Sequence, residues 1–140
     1  MDEKKLRIFV VDDDKEIAET HSTMVELTGH EVFTFNDPYI ALQSFMKVPP
    51  DLVITDLNMP NIDGFSMIRR MKERQKQTEF IIITGEKNVR TVFEARGLGV
   101  FLLFFKPIEL DNLENAIDKV YKRTRYWIDM LKEVRIGGSQ

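Results

Sequence analysis

The chain has 140 residues, 43% of them hydrophobic, the size of one ordinary domain with a single core. Charged residues make up 31% at a formal net charge of −3, so no broad basic field exists to hold nucleic acid or an anionic membrane. The absence of cysteine excludes disulfides and thiolate metal sites, MDEKKLR lacks the apolar centre of a signal peptide, and no apolar stretch approaches the ~18 residues needed to span a bilayer. The expected compartment is the cytoplasm.

Five short apolar runs rich in β-branched or aromatic residues recur: LRIFVV (6–11), EVFTF (31–35), DLVITD (51–56), EFIIIT (79–84) and VFLLFF (100–105). Stretches with helical spacing lie between them. Ile17, Met24 and Leu27 mark the first, ending at Gly29; Pro38, Ala41, Leu42 and Phe45 mark the second. Phe65, Ile68 and Met71 follow Gly64, and Val89, Val92 and Phe93 precede Gly97. PP at 49–50 and NMPNIDG at 58–64 mark loops. Strands apolar on both faces and alternating with helices predict a (βα)5 chain with a doubly wound, five-stranded parallel sheet.

Ligands in such open sheets sit outside the carboxyl ends of the strands. The first run finishes in Asp12, Asp13 and Asp14, the third in Asp56, the fourth in Thr84, and the fifth in Lys106 and Pro107. Two unit charges 4 Å apart interact by roughly 4 kcal/mol at a partly buried site, so crowded carboxylates need a cation. Oxygen donors without His or Cys select a hard metal, and a small carboxylate site suits Mg²⁺. Asp12 and Asp13 are placed to hold it, Lys106 adds positive charge, and Asp14 suits the N-cap of the first helix. A carboxylate beside Mg²⁺, facing a hydroxyl and an ammonium, is the arrangement a phosphoryl group needs, and Asp56, alone at the end of DLVITD, is the candidate nucleophile.

VVDDD (10–14), DLVITDLNMPNIDG (51–64), IIITG (81–85) and FKP (105–107) resemble, in order and spacing, the motifs of response-regulator receiver domains, the chemotaxis-type modules of two-component signalling. The resemblance covers about residues 5–122. It implies the flavodoxin-like (CheY-like) fold with strand order 2-1-3-4-5, and a phosphoryl group taken by Asp56 from the phosphohistidine of a histidine kinase or phosphotransfer protein. It further implies that Asp13, Asp56 and the Asn58 backbone carbonyl hold Mg²⁺, with Asp12 acting through water. Thr84 and Lys106 would grip the phosphoryl oxygens, and the Lys106–Pro107 bond would be cis. Pro60 and Gly64 match the family's loop after the acceptor. Asn58 and Glu86 lie two positions beyond Asp56 and Thr84, where receiver side chains influence phosphoryl lifetime; their polarity is similar to that of fast-relaxing receivers. Such a module is a signalling element, not an enzyme, catalysing only its own phosphotransfer and dephosphorylation.

Two departures stand out. Leu103 occupies the position, three before the lysine, where receivers commonly carry Tyr, Phe or His as a switch aromatic. Val100, Phe101 and Leu102 follow Gly99 where family members tend to be polar, and extra apolar surface on an edge strand points to a contact, or to side chains turned into the core. The expected output surface is the fourth helix, fifth strand and fifth helix. Leu110, Leu113, Ile117 and Val120 suit a last helix on the sheet, and the stripe continues through Trp127, Leu131 and Val134 in steps of three and four, interrupted only by Thr124. That pattern suits a homodimer seam or a helix folded back on its own domain. The expected division is a receiver domain at 1–122 and a helical extension and tail at 123–140, with GGSQ ending the helix and any output domain outside this chain. His21 and His30, away from the strand ends, read as ordinary surface or boundary residues.

Two other classes compete. A Mg²⁺-dependent phosphohydrolase with an aspartate nucleophile, like the haloacid-dehalogenase enzymes, would carry a second Asp two residues after the first, where this chain has Asn58. A flavodoxin-like cofactor binder would offer glycines and hydroxyls to a phosphate where this chain has three aspartates.

Overall fold

The computed structural model describes residues 5–138. Its elements, in chain order, are β1 (Arg7–Val11), α1 (Lys15–Glu26), β2 (Glu31–Phe35), α2 (Pro38–Lys47), β3 (Leu52–Thr55), α3 (Gly64–Arg74), β4 (Glu79–Thr84), α4 (Val89–Gly97), β5 (Leu102–Phe105) and α5 (Leu110–Gly138). All pairings are parallel and the strand order is β2-β1-β3-β4-β5, as expected for the (βα)5 chain. The order turns back at β1, which places a crevice between the carboxyl ends of β1 and β3.

Alternation along the central strands builds two cores. Phe9, Val11, Val53, Phe80 and Ile82 face α2, α3 and α4, where Phe45, Met67, Ile68, Met71 and Ala95 close the layer. Ile8, Val10, Leu52, Ile54, Ile81 and Ile83 face α1 and α5, covered by Val25, Leu113, Ala116, Ile117 and Val120. Each fully buried Ile or Phe contributes about 1.5–3 kcal/mol relative to exposure, so these two layers hold the strand ends in place.

Helix starts follow from local chemistry. Asp14, Asp37, Asp63 and Asn88 are extended N-cap residues whose side chains accept backbone N–H bonds from the first turns of α1 to α4. Gly29 closes the α1 turn at φ +87°, a conformation that favours glycine.

The sequence and the structure differ at three places. The apolar run 100–105 forms a strand only from Leu102, because Gly99 sits at φ +77° and Val100 N–H donates to Ala95 O at 3.1 Å, closing α4 before the strand begins. The stripe Val89, Val92 and Phe93 does not face the sheet: α4 buries Thr91 and Ala95 and leaves Val89 70% and Phe93 66% exposed. Finally, α5 does not fold back. It runs unbroken across residues 122–123 and through Gly138, into GGSQ, whose last two residues lie outside the described ones. Its stripe is buried from Leu113 to Val120, after which Trp127, Leu131 and Val134 are exposed.

Candidate functional site

The residues singled out at the strand ends are anchored by the sheet itself. Asp12, Asp56 and Lys106 each follow the last residue of a strand, yet their N–H groups still donate to Phe35 O (3.1 Å), Val11 O (3.1 Å) and Thr84 O (2.8 Å). The ladder thus fixes the backbone from which each side chain starts. Gly64 completes the frame. Its N–H donates to Leu57 O at 2.9 Å, and a Cβ there would lie 2.3 Å from Asp56 O and 2.8 Å from Leu57 Cα. Only glycine lets α3 start this close to the end of β3.

Carboxylate oxygens of Asp12, Asp13 and Asp56 lie within 4.8 Å of one another. Asp12 and Asp56 are buried and Asp13 is exposed. Lys106 Nζ donates to Asp12 Oδ2 and to Asp56 Oδ2, both at 2.9 Å. Further donors are backbone: Asp14 N–H to Asp12 Oδ1 at 3.0 Å and Leu57 N–H to Asp56 Oδ1 at 2.6 Å. One ammonium serves two buried carboxylates with a third beside them, so the cluster carries an excess of negative charge. Burial pushes the Asp12 carboxyl above its usual range despite Lys106. Burial works against the Lys106 ammonium too, but its bonds to Asp12 and Asp56 prevail and hold it above the ordinary lysine value. The surplus charge and all-oxygen donor set fit a hard divalent cation.

Thr84 stands at the end of β4, fully buried, and its hydroxyl accepts from Glu86 N–H at 3.1 Å. Asn58 and Glu86 meet above the pocket, Asn58 Nδ2 donating to Glu86 Oε1 at 3.0 Å. The Lys106–Pro107 peptide is cis. Asp14 stands apart from the cluster as the α1 cap, accepting from Glu16 and Ile17 N–H. Leu103 packs with Val100 against the α2/α3 core, whereas Phe101, Leu102 and Phe104 are half-buried against the α1/α5 core, with the Arg123 guanidinium 5.6 Å from the Phe101 ring centre. The extra apolar side chains of the edge are therefore partly used in the fold.

His21 corrects its expected surface or boundary position. It is buried on α1, and burial lowers its pKa. The signal was available: position 21 lies three after Ala18 and four before Val25, both on the buried face. His30 is half-buried; its Nδ1 accepts Leu6 N–H at 3.0 Å, and burial lowers its pKa as well. Asn88, which holds both Glu86 and the start of α4, was also missed. An Asn directly before a helical stripe is itself an N-cap signal.

Residues 8–118 match the response regulator receiver domain family. Over 129 residues the chain is 33% identical to Regulatory protein AtoC of Escherichia coli K12, a match spanning 92% of this chain and 27% of that protein. Transcriptional regulatory protein FixJ of Bradyrhizobium diazoefficiens is 29% identical over 85% of this chain and 58% of its own length. Sporulation initiation phosphotransferase F of Bacillus subtilis is 30% identical over 81% of this chain and 91% of its own. The chain thus spans about a quarter to nine tenths of these relatives. Among solved structures, a receiver domain protein from Clostridium thermocellum superposes with a TM-score of 0.81 at 28% identity, covering 87% of this chain and 98% of the other. The Francisella response regulator 1452 receiver domain gives 0.79 at 28% identity, with coverage of 86% and 99%. These matches lend no support to the phosphohydrolase alternative. Motifs, topology and relatives converge on one assignment: the chain belongs to the response regulator receiver domain family, the phosphoacceptor modules of two-component signalling.

Proposed function

We propose that Asp56 is the phosphoacceptor of this receiver. The observation that carries the proposal is the convergence of Asp12, Asp13, Asp56 and Lys106 at the carboxyl ends of β1, β3 and β5, with Lys106 Nζ 2.9 Å from both buried carboxylates. An Asp56 carboxylate oxygen attacks phosphorus of a phosphohistidine; the O–P bond forms as the N–P bond breaks, and imidazole departs to the donor protein. Lys106 exchanges a carboxylate oxygen for a phosphoryl oxygen, and the Thr84 hydroxyl donates to another. Asp13, Asp56 and the Asn58 carbonyl would hold Mg²⁺, with Asp12 reaching it through water. The metal supplies charge neutralisation to the transferring oxygens.

The module acts on itself and not on a diffusing substrate, in the cytoplasm. Its donor is a histidine kinase or phosphotransfer protein, and its receiver of signal is an output domain or effector at the α4–β5–α5 face, the division at 122–123 separating receiver from extension. We further place a second copy of the chain along the exposed Trp127, Leu131 and Val134 stripe, which continues the register of the buried Leu113, Ile117 and Val120. Incubation with Mg²⁺ and acetyl phosphate should add one acid-stable, hydroxylamine-labile phosphoryl group by intact mass. Labelling that survives Asp56→Asn would refute the assignment. Light scattering with and without beryllofluoride tests the second copy, and a monomer in both conditions would remove it.

A further inference from the structure

The side chain at position 103 is Leu and is packed into the α2/α3 core, so no aromatic ring there links the pocket to the outer face. The β4–α4 loop offers a different connection. Glu86 Oε1 accepts from Asn58 Nδ2 at 3.0 Å, across 28 residues of sequence, and Glu86 Oε2 accepts from Asn88 Nδ2 at 3.4 Å. Asn88 Oδ1 in turn accepts Thr91 N–H at 2.9 Å and caps α4. The Lys87 ammonium, between them, lies 5.8 Å from the centre of the Phe105 ring, next to Lys106 in the chain. Glu86 N–H is also held by the Thr84 hydroxyl at 3.1 Å. Three consecutive residues, Glu86 to Asn88, are therefore tied to the loop after Asp56, to the end of β4, to the end of β5 and to the first turn of α4. That helix carries the exposed Val89, Val92 and Phe93.

We propose that the chain Asn58–Glu86–Asn88 couples the state of the acidic pocket to the start of α4, with Asn88 as a positioning residue of this relay. It rests on the pocket function proposed above. A ligand that draws on the Asn58 carbonyl and the Thr84 hydroxyl moves both anchors of Glu86 at once, and Glu86 passes the displacement through Asn88 to the cap of α4. Charge and amide supply what the absent ring does not.

The test uses amide NMR spectra of the full chain, free and with Mg²⁺ and beryllofluoride. Asp56 and Lys106 amides report the pocket; Thr91 and Val92 amides report the start of α4. Both sets should shift in the parent. Asn88→Ser keeps a good N-cap and removes only the side-chain amide donor, so α4 stays folded. In Asn88→Ser and in Glu86→Ala the pocket shifts should persist while the Thr91 and Val92 shifts shrink at least twofold; Glu86→Gln, which keeps an acceptor for Asn58, should recover them in part. Full α4 shifts in both disrupting variants overturn the relay. Loss of the pocket shifts in those variants also overturns it, by making them parts of the site. A parent whose pocket amides do not respond defeats the proposed function itself and the relay with it, and the two failures are distinguished by which amides stay still.

Discussion

Lys106→Met strands two buried carboxylates and keeps most of the apolar stem of the side chain. The Lys106 side chain is 21% exposed and its partners are 3% and 8% exposed, so screening by solvent is weak. A carboxyl left without its cation escapes by taking up a proton. An aspartate ordinarily titrates at 3.8, so holding one neutral at pH 7 costs about 4 kcal/mol, at roughly 1.4 kcal/mol per unit. That figure is a ceiling for the loss at pH 7. It is a large share of the ~5–15 kcal/mol that holds a domain folded. With a urea slope of about 1–3 kcal/mol/M, that ceiling corresponds to a midpoint lower by roughly 1–4 M. The folded variant binds a proton that the unfolded chain releases above about pH 4, so its stability drops as pH rises and the deficit against the parent should be smaller at pH 5 than at pH 7. Circular dichroism through urea titrations at both pH values, without divalent metal, reads this directly. Equal deficits at pH 5 and pH 7 would refute the stranded-charge account and leave only lost packing.

Gly64→Ala forces a methyl against backbone atoms that have no room to yield, so it should cost about 1–3 kcal/mol by thermal unfolding and weaken Mg²⁺ binding followed by amide shifts of Asp56; an unchanged protein would mean that α3 moves away freely. Asp14→Ala removes the acceptor of Glu16 and Ile17 N–H and should cost about 1 kcal/mol, with Mg²⁺ affinity unchanged because the Asp14 N–H bond to Asp12 is backbone; a large drop in affinity would contradict its role as a cap. His30 is held neutral by burial, with its lowered pKa below the ordinary 6.5. The unfolded chain therefore takes the proton first, and stability present above pH 6.5 is lost as pH falls below it. His30→Gln, whose amide oxygen can still accept Leu6 N–H, should flatten that fall between pH 7.5 and 5.5 in urea titrations, and parallel curves would exclude His30 as a contributor.

Much of this architecture is legible in the sequence because four of the five strands end at polar or charged residues that gather at one end of the sheet. Apolar runs give β2 and β4 with the bounds the structure shows, and the aspartates, Lys106 and Thr84 stand at the ends where an open parallel sheet gathers ligands. What is hidden depends on helix phase and on pairing between loops. The α4 stripe of Val89, Val92 and Phe93 has the spacing of a buried face, yet the cap at Asn88 rotates Thr91 and Ala95 inward. The Asn58–Glu86 bond joins two polar loop residues, and no periodicity marks which of many such residues will meet. Gly64 shows as a loop signal, but the 2.3 Å approach that demands it emerges only when β3 and α3 are packed.

The continuity of α5 has a mechanical side. The helix begins beside Lys106 and Pro107, at the end of the sheet that holds the acidic pocket, and leaves the opposite end after Val120. From Leu110 to Val134 it rises by roughly 36 Å, at about 1.5 Å per residue. A tilt of only about 5° at its first turn therefore sweeps its exposed end through roughly 3 Å. A rigid rod of this length would turn a tilt at its base into a displacement on the scale of a side chain at Trp127 and Leu131.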